Sequence, residues 1–306
     1  MGHLKKVGEL TILLGIGVCL YFFGYKKIIK RRVIPVAYST ECRTQSSKLP
    51  GKALEDQQRN HFLSSIQGER TKYRLYLSPG NVVLGEITMQ ITDRNHQNSM
   101  GTVTNDNDPF GKAYSFEALA STDQEVSSLI VAEEVVRSHI GSHGWHSVKY
   151  YHSQDERMPN LNPVQQETFI DFDYQDCSAR LKQEAADGDV IKDQDYYLKL
   201  GASDPLTALY KMRFLALNDN LPQDLYVYVT NENWKLSMIP LTSETIEIDA
   251  GVYEATKYRL RSFRLDGVEN DKGEIYLWFD RNHPQRHLLK VKGSVNLASI
   301  RMEMTK

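Results

Sequence analysis

Apolar residues recur at every second position through the carboxyl-terminal third of this chain. In "GEIYLWFD", Ile275, Leu277 and Phe279 face one way, and Glu274, Tyr276 and Trp278 the other. A two-residue period places one set of side chains on each face of a pleated strand. The same pattern runs through "DLYVYVTN", "WKLSMIP", "SETIEI", "GVYEATKYRLRSF", "HLLKVKG" and "NLASIRMEM". Upstream, "VVLGEITMQIT" puts Val83, Gly85, Ile87, Met89 and Ile91 on one face and Leu84, Glu86, Thr88 and Gln90 on the other. Turn residues separate these runs, as in "SPGN" and the Asp-Gly of "KQEAADGDVIK". The pattern predicts a mainly β protein: a strongly curved antiparallel sheet or open barrel with one or two short helices.

Two stretches break the period. "DPLTALYKMRFL" has Asp204 as a helix N-cap and Pro205 at the first helical position. Leu206, Leu209, Tyr210 and Leu217 recur at helical spacing, with Arg213 beside Tyr210. A short amphipathic helix here would cover the open side of a curved sheet. "TDQEVSSLIVAEEVVRSHIG" predicts a second helix over 123–139, with Thr122 as N-cap and Gly141 as stop. Val126, Leu129, Ile130 and Val136 supply its apolar face.

The amino terminus sets location. Residues 1–9 carry Lys5 and Lys6, residues 10–25 ("LTILLGIGVCLYFFGY") carry no charge, and Lys26, Lys27, Lys30, Arg31 and Arg32 follow. This predicts a transmembrane anchor, with a cleaved export signal as the rival reading. Val18 before Cys19 argues against a lipoprotein signal. Residues 26–64 read as a basic flank and polar tether, and 65–306 as the β-rich domain. The basic flank after the apolar run favours a cytoplasmic domain by the positive-inside rule.

Charge is nearly balanced, with 37 basic and 39 acidic residues, so no nucleic-acid partner is expected. Three cysteines build no disulfide framework, although Cys42 and Cys177 are able to pair.

No complete catalytic set is present. G-x-S-x-G, the phosphate loop and the dinucleotide fingerprint are all missing. Asp171, Asp173 and Asp176 of "DFDYQDC" suggest a carboxylate pair, but alternation sends Asp171 and Asp173 to one strand face as solvent-side charges. Asp106 and Asp108 in "NDNDPFG" lack the rest of a calcium loop. His139, His143 and His146, with His152 nearby, are the candidate metal ligands. Gly141 and Gly144 interrupt the helix their spacing requires, so neither metal nor cofactor is expected.

The order "KYRLYLSPGNVVLGEITM", "DPLTALYKMR", "GVYEATKYRL" and "GEIYLWFDRNHPQRHLLKVKG" resembles the bacterial domain of unknown function 3108. The likeness spans approximately 65–306. Its most specific parts are Asp204-Pro205-Leu206 through Arg213, and Leu277-Trp278-Phe279 with Pro284. The resemblance implies an exported envelope protein, with the domain in the periplasm, and no defined activity. The anchor-like start, the 123–139 helix and the histidine cluster depart from the family pattern.

These readings lead to an inner-membrane-anchored envelope protein that binds a lipid-like amphiphile in its curved sheet, without catalysis. Candidate ligand-binding residues are Ile87, Met89, Tyr210, Arg213, Phe214, Tyr258, Leu277 and Trp278. The alternatives are a structural or assembly partner of another envelope protein, and a cryptic metal-dependent enzyme using the histidines.

Overall fold

The structure is a computed structural model. It describes residues 52–78, 80–93, 114–127, 131–141, 144–157, 159, 162–217, 222–229, 231–265, 274–295 and 298–306. The expected anchor at 10–25, the Asp106/Asp108 loop and His143 lie outside these residues.

Helix α1 (Lys52–Ser65) leads into a meander of eight strands. These are β1 (Arg70–Ser78), β2 (Val82–Asp93), β3 (Tyr114–Thr122), β4 (Val131–Ile140), β5 (Ser147–Arg157), β6 (Val164–Asp173), β7 (Ser178–Ala185) and β8 (Val190–Tyr197). The two-residue β9 (Ala202–Ser203) and helix α2 (Pro205–Leu215) follow. The chain closes with β10 (Gln223–Val229), β11 (Glu232–Ile248), β12 (Gly251–Arg264), β13 (Ile275–Asp280), β14 (Leu288–Val295) and β15 (Ala298–Met304).

All fifteen strands form one sheet in the order β8 to β1, then β15 down to β9. Every pairing is antiparallel except β9 with β10. Its two edges, β8 and β9, are joined by residues 198–201 alone. Fifteen flat strands would separate those edges by roughly 65 Å. The connection spans less than about 20 Å. The sheet is therefore rolled, yet open, because β8 and β9 are not paired with each other.

Helix α2 lies inside the roll. The Tyr210 ring stacks on Phe116 of β3 at 4.2 Å, and the Tyr258 hydroxyl of β12 donates to Ala216 O at 3.5 Å. Asp204 caps the helix as its sequence predicts, accepting from the Leu206 and Thr207 amides. The helix stops earlier than its apolar spacing suggests: Leu217 lies beyond it and is exposed.

Two elements differ from the sequence reading. Residues 52–64, expected as tether, are helical; Phe62 and Leu63 of α1 are buried in the core. Of residues 123–139, expected as a helix, 124–127 form a turn and 131–139 belong to β4. Ala132, Glu134, Val136, Ser138 and Ile140 alternate inward along β4. Thr122 caps nothing helical. Its hydroxyl donates to Ala132 O and accepts from Ala132 N, bridging β3 to β4. The β-branched Val131, Val135, Val136 and Ile140 suit the pleat, and β3 and β5 supply a hydrogen-bonding partner on each side. Both outweigh a loose helical periodicity.

The tip of the long β11–β12 hairpin reaches across the outer face. Trp278 Nε1 donates to Glu244 at 2.6 Å, and Arg74 of β1 donates to Asp249 at 3.1 Å. Trp278 lies on this outer face, opposite Lys257 and Lys290 in register.

Candidate ligand site

Register identifies the inner face continuously. Glu134 pairs with Ala120, Ala120 with Ile87, and Ile87 with Tyr73. From β1, Leu75 leads through Met302, Val291 and Leu277 to Tyr258. All of these side chains except Glu134 are apolar or aromatic, and all are buried.

The inner face of β4, β5 and β6 is different. Beyond the rung Ser138–Tyr150, which meets the start of α2, come Val136–His152, Glu134–Gln154 and Ala132–Glu156. On β6, Thr168 stands beside His152 and Gln166 beside Gln154. Glu134 is 4 % exposed and Glu156 2 %. Alternation alone accounts for their burial, because each occupies an inward position of its strand.

Part of this wall is satisfied internally. Gln154 Nε2 donates to Glu156 Oε1 at 2.6 Å, and Gln166 Nε2 donates to Gln154 Oε1 at 3.0 Å. Part is not. Glu134 Oε2, His152 Nε2 and the Tyr150 hydroxyl are buried and make no hydrogen bond among the described residues. His152 Nε2 lies 3.5 Å from Glu134 Oε2, within ion-pair reach but without hydrogen-bond geometry. Burial pushes the Glu156 carboxyl up, and the field of Glu134 adds to that. Burial likewise pushes the Tyr150 phenol well up, reinforced by Asp204 and Glu134. Buried polar atoms without partners are costly and sparse in folded proteins. Three of them on one wall mark a place able to accept a polar group.

The residues singled out from sequence fall elsewhere. Ile87, Met89, Tyr210, Tyr258 and Leu277 are buried in the packed core. Phe214 packs against Phe62 and Trp145. Arg213 is buried and donates to both oxygens of Glu69, at 2.7 and 2.9 Å. Trp278 belongs to the outer face and does not line the interior. Helix α2 fills the space these residues were expected to line. The polar wall escaped notice because "VAEEVV" reads as a charged helix face. Only as a strand does it send Glu134 inward and Glu133 outward.

His139 and His146 have separate partners, and His143 lies outside the described residues. His139 Nδ1 is hydrogen-bonded to Ser115 at 2.7 Å on β4, while the His146 ring packs against Tyr174. Among the described residues no group of three His, Cys, Asp or Glu side chains is placed to hold a metal. Asp171 is exposed, and Asp173 accepts from the Gln175 and Asp176 amides within the β6–β7 turn. Cys177 is disulfide-bonded, and Cys19 and Cys42 both lie outside the described residues. Among the described residues no helix is long and apolar enough to cross a membrane.

A family model described as protein of unknown function (DUF3108) matches residues 147–305, more than half of the chain. The match begins at β5, later than the span of resemblance read from sequence. No curated protein matches. Among solved structures, a beta-barrel-like protein of domain of unknown function DUF1849 from Brucella abortus is 10% identical, with TM-score 0.48. The likeness covers 78% of this chain and 95% of that one. A candidate lipoprotein from Parabacteroides distasonis is 10% identical, with TM-score 0.31, covering 78% of this chain and 94% of that one. A candidate exported protein with a YmcC-like fold from Bacteroides fragilis is 10% identical, with TM-score 0.30, covering 78% and 95%.

Proposed function

The chain belongs to the DUF3108 family, and from that premise we propose that it is a membrane-anchored envelope protein holding an amphiphilic ligand inside its rolled sheet. The observation that carries this reading is the division of the inner face. The wall built by β4, β5 and β6 presents buried polar atoms of Glu134, His152 and Tyr150 that make no hydrogen bond among the described residues. The apolar wall that continues from it carries Ile87, Leu75, Met302 and Val291 on β2, β1, β15 and β14. An amphiphile matches both walls at once: its polar head satisfies the orphan atoms and its tail meets the apolar strands. No catalytic step is assigned to the wall.

The uncharged run at 10–25 supports anchoring, and the disulfide at Cys177 supports an oxidising compartment outside the cytoplasm. That placement opposes the basic flank at 26–32, and a phosphatase fusion after residue 40 tests it. The test of binding is mass spectrometry of the full-length protein purified from membranes. An amphiphile co-purifies with the natural chain and is lost from Thr168→Trp, which fills the wall. Clean protein that also takes up no fluorescent phosphatidylethanolamine overturns the reading.

A second reading rests on β8, an unpaired edge on which Val190 and Ile191 are 55% and 58% exposed. A partner strand adding there makes this an assembly protein. Photocrosslinking from position 191 in membranes then yields one dominant protein adduct.

A further inference from the structure

The head group that the polar wall accepts is set by the wall's own charge. We infer that it is a primary ammonium rather than a phosphate or a carboxylate. This inference rests on the amphiphile reading and narrows it. Glu134 and Glu156 are adjacent inward carboxylates on β4 and β5, and both are nearly inaccessible to water. Glu134 Oε2, whose one charged neighbour is His152 Nε2 at 3.5 Å, and the Tyr150 hydroxyl are buried and make no hydrogen bond among the described residues. An ammonium carries three N–H donors and no acceptor, which complements an orphan carboxylate oxygen and a phenolic oxygen. Its positive charge also relieves the repulsion between the two carboxylates.

An anionic head would do the reverse. Among the described residues the wall holds no Arg or Lys, only His152, which already faces Glu134 at 3.5 Å. The inward Lys192 of β8 lies against the Tyr196 ring, 4.9 Å from its centroid, two strands away from the wall. A phosphate there would leave Glu134 unsatisfied and add a like charge to a buried site.

The experiment compares dodecylamine with dodecanoate, two probes of equal chain length, on the full-length protein in a non-ionic detergent. Native mass spectrometry reads the adducts in direct competition. The expected result is a preference of about tenfold or more for the amine, the scale of one charge-assisted hydrogen bond. The Glu134→Gln/Glu156→Gln protein, checked by its melting curve, loses that preference. Equal or better binding of dodecanoate overturns the inference and leaves the amphiphile reading standing. An undiminished amine preference in the folded double variant does the same. Binding of neither probe overturns both. The competition on the natural chain needs no variant, so it stands even if the double substitution impairs folding.

Discussion

Arg213 on α2 grips Glu69, the residue just before β1, through parallel bonds of 2.7 and 2.9 Å, although 144 positions separate them in the chain. The same guanidinium donates to Gln285 O at 3.1 Å, and His287 Nε2 lies 3.4 Å from Glu69. One buried fork thus ties the central helix to β1 and to the β13–β14 loop. Arg213→Met leaves Glu69 buried without its main partner and is expected to cost about 3–5 kcal/mol. Arg213→Lys, which lacks the planar fork, loses roughly half of that. Urea denaturation measures both; a cost for Arg213→Met within 0.5 kcal/mol of zero, about the scale of a surface change, removes the fork's role.

Acid acts on the same pair. Burial alone would raise the Glu69 carboxyl, but bonds from His287 and Arg213 hold it down from 4.5 to about 2. A depressed acid contributes stability above its unfolded value and loses it as pH falls through its folded value. The contribution is on the order of 3 kcal/mol and disappears between about pH 4.5 and pH 2. Stability measured against pH shows this acid limb in the natural chain and a shallower one in Arg213→Met.

Asp204 holds the other end of α2. One oxygen accepts from the Leu206 and Thr207 amides at 2.9 and 3.0 Å. The other accepts from the hydroxyls of Ser138, Ser147 and Thr207 at 2.5, 2.5 and 2.7 Å. Asp204→Ala removes the cap and orphans buried hydroxyls, an expected loss of about 3 kcal/mol. Ser147→Ala, which removes only one of the hydroxyls, costs about 1 kcal/mol in the same urea experiment.

Gly85 sits where β2 and β3 approach closely. A Cβ there would stand 2.2 Å from the Ser121 carbonyl oxygen, which is backbone and cannot swing aside. Gly85→Ala is expected to cost about 1–3 kcal/mol as overpacking, read as a lowered melting temperature. An unchanged melting temperature would mean that the two strands separate there without penalty.

The disulfide at Cys177 is expected to join it to Cys42, since Cys19 falls within the apolar run. Peptide mapping without reductant checks the linkage. Reduction is expected to lower stability by about 2–4 kcal/mol, because the bond closes a long loop in the unfolded chain.

Much of this was legible residue by residue. The alternation in "GEIYLWFD" matches β13, and the Asp204-Pro205 start matches α2, because both signals act within a few positions of the chain. The stretch "VAEEVVRSHI" misled because single-sequence spacing cannot register the two neighbouring strands that β4 pairs with. Of the candidate liners, Ile87, Met89, Tyr258 and Leu277 stand on the inward face of the sheet and Trp278 on the outer one, while Tyr210, Arg213 and Phe214 belong to α2, which occupies the space in front of that inward face.

The sequence by itself determined a meander of strands with a capped short helix, because strand period, caps and turns are local properties of covalently adjacent residues. The tertiary structure decided how the sheet rolls, with its two edges brought together by residues 198–201, and which wall of the interior is polar. Those outcomes depend on partners far apart in the chain, as Arg213 and Glu69 are, and are fixed only when register places them side by side.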